Sequence, residues 1–495
     1  MTYAVATNTH KSQSSVATVV HTLEADSATY ADIDAYVEAE MRRLSMPGVS
    51  LAIVEGGEVV HVRGFGRARP GGEAPTPQTP FFTGSLTKSV TALAVMQLVE
   101  AGHIELDTPV QRYLPWFGVA DSQGSAQVTV RHLLNQTSGL PNWTGEVILA
   151  DFDESRGAAE RQARALATVA LLHPPGSKWE YSNSNYQLLG LVIEDVSGQP
   201  YADYVQEHIF NPLGMRSTYV WPAREKRGVL AAGHRYWFGI PVAASDLPVP
   251  LGAAAGGGLA STAEDLARYM IALLNGGCSG DVRVLSRNGV DEMQRGAADI
   301  TALGLSLGQY AMGWFVDELG GTKVVSHGGT LPDFGSFMAL LPEQGRGIVL
   351  LFNACHHWMN PILAESGMRA AALLAGEPPP QIPLVRMMPW ALRAQLLVPA
   401  LQMAGVVATG QMLHRWRQAP ESRPTGSSAR ARHVLLPLIP GALAAFTLKS
   451  MLGKTRNYLK LYMADSFWLT LVCGSFVLAW GIVRARLIGR ALRKA

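Results

Sequence analysis

Ser85 and Lys88 stand three residues apart in FFTGSLTKSV (81–90), after a Thr-Gly turn and at the start of a long apolar run. A serine hydroxyl is a weak nucleophile until a neighbouring base takes its proton. A lysine one helical turn away lies on the same face and can reach that hydroxyl. Among apolar or cationic neighbours its amine loses the proton nearer neutrality and becomes that base. As a purely structural residue Lys88 is badly placed, because a cation in the first helical turn opposes the macrodipole. The competing reading is plain: Ser85 caps a helix and Lys88 is solvated.

Two more stretches carry residue types that such chemistry needs. PPGSKWEYSNSNYQLLGLVIEDVSG (174–198) turns at Pro-Pro-Gly, presents Tyr181-Ser182-Asn183 and enters an apolar helix. VVSHGGTLPDFGSF (324–337) delivers His327-Gly328-Gly329 from one strand to the next. Each also has a structural explanation. Asn183 or Ser184 would serve as a helix cap, and His-Gly-Gly as a turn with a half-exposed histidine.

In this order, Ser-x-x-Lys opening a helix, Tyr-x-Asn and a later His-x-Gly strand, the constellation resembles the serine β-lactamase and penicillin-binding-protein superfamily. Its class C-like branch, with D-alanyl-D-alanine carboxypeptidases, esterases and aminopeptidases, is the nearer likeness. VTVRHLLNQTSGLP (128–141), IFNPLGMRSTY (209–219) and GGGLASTAEDLARYM (256–270) look like the same family, and the resemblance covers residues 32–375. It implies Ser85 as nucleophile, Lys88 as base, and Tyr181 as the group that passes a proton to the leaving group and later activates water. Asn183 would orient a substrate amide or polarise the lysine. His327, Gly329 and Thr330 would border the substrate, with the backbone N–H groups of Ser85 and Thr330 as the oxyanion hole. Where β-lactamases of this superfamily carry Lys-Thr-Gly, this chain has His327-Gly328-Gly329. A histidine holds a substrate carboxylate less well than a lysine at neutral pH, which favours amides or esters over β-lactams. No cofactor motif is present, and His356-His357 lacks partners at metal-binding spacing.

The elements that must position these residues follow from pattern. DIDAYVEAEMRRL (32–44) has helical spacing, and VSLAIVEGGEVVHVRGFG (49–66) reads as a hairpin about Gly56-Gly57. Further strands are expected over 310–329, 334–342 and 345–354, then a helix over 361–376. Residues 85–300 read as mostly helical. The expected class is α+β: an antiparallel sheet assembled from both ends of the segment, with a helical region inserted and a cleft between them.

Beyond residue 381 the chain changes character. Sixteen Lys or Arg face two acids there, Glu421 and Asp465, about +14, and an overall +2 leaves about −12 for residues 1–380. An acidic front half argues against a nucleic-acid partner. The basic tail contains three apolar stretches, 395–413, 434–452 and 467–483, each near the roughly 20 residues of a membrane helix. Arginines cluster around Arg415–Arg432 and beyond Arg484, on one side of three spans, which places the front half outside by the positive-inside rule. Residues 1–30 show no basic segment leading an apolar core, so the export route is open. The three cysteines, Cys278, Cys355 and Cys473, form neither a disulfide framework nor a metal spacing.

The expected organisation is an N-terminal segment (1–31), a hydrolase domain (32–376), a linker (377–394) and a three-helix membrane domain (395–495). That layout resembles membrane-bound prodrug-activating peptidases of nonribosomal peptide pathways. The likeness implies an amidase that removes an N-acyl-D-amino-acid cap from a small-molecule or peptide substrate at the bilayer. An esterase or D-alanyl-D-alanine carboxypeptidase is the first alternative. The second is a sensor that is acylated by its ligand and signals through the spans, although a deacylating Tyr181 would shorten its acyl state.

Overall fold

The computed structural model describes residues 29–493 apart from 156, 222–228, 245–246, 248–249, 303–304, 381–382 and 425. Most of the expected N-terminal segment therefore lies outside the described residues.

The stretch Gly48–Glu55 (β1), GVSLAIVE, is apolar on both faces and almost wholly buried, as a strand covered on two sides must be. It turns at Gly56-Gly57 into Glu58–Gly66 (β2). Six later strands complete the sheet: Ala298–Ala302 (β3), Leu305–Tyr310 (β4), Phe315–Leu319 (β5), Thr322–Leu331 (β6), Phe334–Leu341 (β7) and Arg346–Phe352 (β8). Their order is β3-β4-β5-β6-β7-β8-β1-β2. Each neighbouring pair is antiparallel. The join between the two ends of the segment is β1 on β8, with Leu51 opposite Leu350.

Alternation along β1 divides the core. Leu51 and Ile53 face a helix over residues 29–44 and the helix Asn360–Ala375, meeting Ile33, Val37 and Leu363. Ala52 and Val54 face the helical region, where Val90, Leu93 and Leu266 pack. The helices Thr87–Glu100 and Asn183–Ser197 belong to that second layer. The architecture is thus the expected antiparallel sheet with an inserted helical region.

The C-terminal part departs from expectation in two places. The segment 377–394, expected as a linker, contains the helix Pro383–Ala394, whose Leu392 is buried in the core below the sheet. Instead of three clear spans, two helices among the described residues are long and apolar enough to cross a bilayer, Ala431–Met451 and Ala464–Arg493. A third exists only if Val385–Ala394 and Leu397–Gln418, bent by 41°, act as one. A local feature accompanies the bend: Pro399 has no N–H to offer the carbonyl four residues back, at Gln395, which accepts from Val398 N at 3.0 Å instead. Large apolar side chains on this part, Leu401 and Phe446 among them, are exposed.

Leu51→Ala removes a fully buried side chain from the middle of the sheet. It is expected to cost about 2–5 kcal/mol in denaturant unfolding; a change below about 1 kcal/mol would mean that β1 is not the central strand described.

Candidate active site

Gly84–Leu86 forms a single 3₁₀ turn that runs into the helix Thr87–Glu100. Gly84 adopts φ +53°, which a residue without Cβ tolerates. A Cβ there would also come 2.7 Å from the backbone nitrogen of Thr330. The turn is thereby pressed against β6 with Ser85 beside Thr330. Gly329 permits the same approach from the other side, since a Cβ on it would stand 1.9 Å from the Thr83 carbonyl oxygen.

Lys88 is fully buried on the first turn of the helix. Its Nζ lies 3.1 Å from Ser85 Oγ, 2.6 Å from Asn183 Oδ1 and 2.7 Å from the Gly256 carbonyl oxygen. Burial lowers its pKa from 10.5 to about 7, because the charged form is the one penalised by lost water. No carboxylate lies among these partners to restore the charge. The Tyr181 and Tyr186 rings stand 5.0 and 5.5 Å from the amine.

The Tyr181 hydroxyl donates to Ser85 Oγ at 3.0 Å. Burial pushes its phenol well above the usual value, so Tyr181 stands as a neutral hydroxyl and Lys88 is the group that titrates near neutrality. Asn183 opens the helix Asn183–Ser197 but does not cap it; its side chain is spent on Lys88. The loop carrying Tyr181 is clamped by Gln136, which accepts from Glu180 N through its carbonyl and from Ser182 N through Oε1. Gln136 does this at φ +58°, a left-handed conformation that costs a non-glycine residue about 1–3 kcal/mol.

His327 lies on β6, almost fully buried. Its Nδ1 donates to the Gly328 carbonyl at 2.6 Å, and its Nε2 lies 3.3 Å from the Tyr310 hydroxyl. That tautomer leaves Nε2 as acceptor. Burial first, and the Lys88 charge second, lower its pKa to about 3. The histidine is therefore a neutral wall and offers no charge to a substrate carboxylate.

The structure brings all the expected residues to one place: Ser85, Tyr181, Asn183, His327 and Thr330 line a single cleft, with Lys88 behind Ser85 and Gly329 behind Thr330. Trp179, Glu146, Asp317 and Asn360 line it too. Among the described lining residues none is Lys or Arg, while Glu146 and Asp317 are acidic. The Gly256 carbonyl and Gln136 were not singled out from sequence, since a backbone oxygen and a buried amide carry no spacing signal. Tyr458 and Tyr462, also in the lining, have one faint signal, two tyrosines four apart between apolar runs. The aromatic stretch His234–Trp237 is not in the lining: it forms a strand, and the His234 ring bonds to the Asn353 carbonyl.

Residues 33–366 match the family described as Beta-lactamase. The chain is 30% identical over 329 residues to Protein flp of Staphylococcus aureus (strain MW2), across 65% of this chain and 62% of that protein. The match thus spans less than two thirds of that relative. Among solved structures, it is similar to the octameric penicillin-binding protein homologue from Pyrococcus abyssi. That similarity has a TM-score of 0.61 and 30% identity, over 71% of this chain and 78% of that one. It is also similar to the D-amino acid amidase from Ochrobactrum anthropi SV3, with a TM-score of 0.59 and 26% identity, over 70% and 99% of the two chains.

Gly329→Ala is expected to push β6 off the Ser85 turn, because the new Cβ meets a backbone oxygen that cannot swing away. Labelling of Ser85 by a fluorophosphonate should slow by about tenfold or more; an unchanged rate would show that the close approach does not matter to Ser85.

Proposed function

The chain belongs to the beta-lactamase family, and from that membership we propose that it is a membrane-anchored serine hydrolase cleaving amides through an acyl-enzyme on Ser85. The observation that carries this is the placement of Ser85 Oγ between the Lys88 amine at 3.1 Å and the Tyr181 hydroxyl at 3.0 Å. A neutral Lys88 donates its two hydrogens to Asn183 Oδ1 and Gly256 O and aims its lone pair at Ser85.

Attack then proceeds in balanced steps. Ser85 Oγ bonds to the substrate carbonyl carbon while its proton passes to Lys88 Nζ. The carbonyl π electrons move to oxygen, which is met by the Ser85 and Thr330 N–H groups. As the C–N bond breaks, the departing nitrogen takes the Tyr181 proton, and Tyr181 recovers one from Lys88. Water next adds to the acyl ester, losing its proton to the same pair, and the ester bond breaks to restore the serine.

The substrate class is argued from charge and likeness. A neutral His327 and a lining that, among the described residues, holds Glu146 and Asp317 but no Lys or Arg disfavour substrates that end in a carboxylate. This weighs against a D-alanyl-D-alanine carboxypeptidase and against β-lactams. The similarity to a D-amino acid amidase supports an amide next to a D-configured residue, an N-acyl-D-amino-acid cap of the prodrug type. An esterase is the remaining alternative, since the same steps cleave esters. A sensor is disfavoured because Tyr181 stands ready to deacylate.

Membrane anchoring with three crossings is supported by parity. The short helix Arg456–Tyr462, between the two candidate spans, touches the hydrolase domain, with Tyr458 OH 3.0 Å from His357 Nδ1. It therefore lies on the same side as that domain. If the chain enters the first of those spans from the opposite side, this supports one crossing by Leu397–Gln418. The arginines around Arg415–Arg432 and beyond Arg484 then share one side, and the hydrolase domain lies outside. Two cations of the inter-span segment are held over rings, Lys454 on Trp143 and Lys460 on Trp468.

Membranes carrying the wild type should release acyl-D-asparagine from an N-acyl-D-asparaginyl amide, with D-Ala-D-Ala peptide left intact, as read by mass. Ser85→Ala should lower that turnover by roughly 10³-fold or more, and Tyr181→Phe by about 10²–10⁴-fold. Equal products with and without Ser85 would defeat the mechanism, and ester or D-Ala release in place of the amide would move the enzyme to the alternative.

A further inference from the structure

The inter-span helix Arg456–Tyr462 does more than connect. Tyr458 and Tyr462 lie one turn apart on one face, stack at 4.3 Å with 20° between their planes, and line the cleft that holds Ser85. Two consecutive histidines of the hydrolase domain hold this segment. His357 Nδ1 lies 3.0 Å from the Tyr458 hydroxyl. His356 Nε2 lies 2.9 Å from Asp465 Oδ1, with both side chains fully buried. The other Asp465 oxygen accepts from Phe238 N at 2.7 Å. The inter-span helix and the start of the helix that follows it are thus both fastened to the hydrolase domain.

Tyr462 is the unusual member. Its side chain is buried, yet its hydroxyl has no hydrogen-bond partner among the described residues. A buried hydroxyl left unpaired is destabilising, and phenylalanine would keep the same stack without that cost. The same residue also borders an apolar pocket formed with Leu149, Trp221 and Leu461, so it sits where two chambers meet.

We propose that Tyr458 and Tyr462 are specificity-determining residues that touch the substrate, with the Tyr462 hydroxyl donating to a carbonyl oxygen of the bound amide, and that His356 and His357 are the positioning residues that hold them in the cleft. The substrate site is then incomplete without the segment between the membrane helices. This rests on the serine-hydrolase reading of the cleft.

The test uses the full-length protein in detergent and two probes that both react with Ser85. One is a small ethyl fluorophosphonate, and the other carries an N-acetyl-D-asparaginyl amide extension. The wild type should react faster with the extended probe. Tyr462→Phe, which keeps the ring and its stack, should lower the ratio of extended to small labelling rates by about tenfold and leave the small-probe rate within about twofold. His357→Ala should lower the ratio in the same direction, and His357→Gln, which can still bond to Tyr458, should restore most of it. A ratio near one in the wild type, a ratio unmoved by Tyr462→Phe, or equal slowing of both probes would overturn the proposal. Labelling that is absent, or that persists in Ser85→Ala, would instead defeat the serine-hydrolase reading itself.

Discussion

The site is organised around one buried amine. Lys88 is out of contact with water, and its pKa of about 7 in place of 10.5 corresponds to roughly 5 kcal/mol against the charged form. Sign matters for stability. Between pH 7 and 10.5 the unfolded chain holds this proton and the folded chain does not, so this group makes folding more favourable as pH rises through that window and opposes it most below 7. A structure that carries such a penalty holds the amine for its chemistry. Asn183 Oδ1 and Gly256 O take two of its hydrogens and so fix where the third position points.

Everything that reaches Lys88 depends on long-range assembly. Ser85 comes with it on the same turn, but Asn183 and Gly256 arrive from two other parts of the chain. The sheet sets β6 at the right height, Gly84 and Gly329 let two backbones nearly touch, and Gln136 spends a strained conformation on steadying Tyr181. Strain of that kind is maintained only where surrounding packing over-determines it. Here two fully buried side chains stand on either side of the loop in sequence, Leu134 just before Gln136 and Leu188 on the helix that follows Tyr181.

What could be seen in the sequence was what chemistry or short-range periodicity expresses. Ser85 and Lys88 are one turn apart, and Tyr181 and Asn183 share a single helix start, so both pairs show in local spacing. The two β-rich runs about Gly56-Gly57 announced the hairpin of β1 and β2. Contacts between residues far apart in the chain left no such trace. The Gly256 carbonyl has no side-chain signature, and the pairing of His356 with Asp465 joins positions 109 residues apart. The His356-His357 dipeptide read as a poor metal site; in the fold its two rings fasten the C-terminal segment. Hydropathy located the apolar stretches but not the break ahead of Pro399, a residue that has no N–H to continue the helical ladder.

The central claim is that a buried, near-neutral Lys88 takes the proton of Ser85. The most direct measurement is the pH dependence of the acylation rate, followed from pH 5 to 9 by intact mass after rapid quenching. With Lys88 as base, the rate rises about tenfold per pH unit below 7 and levels off above it. A rate that stays flat across that range, or that falls as pH rises through 7, would contradict the account.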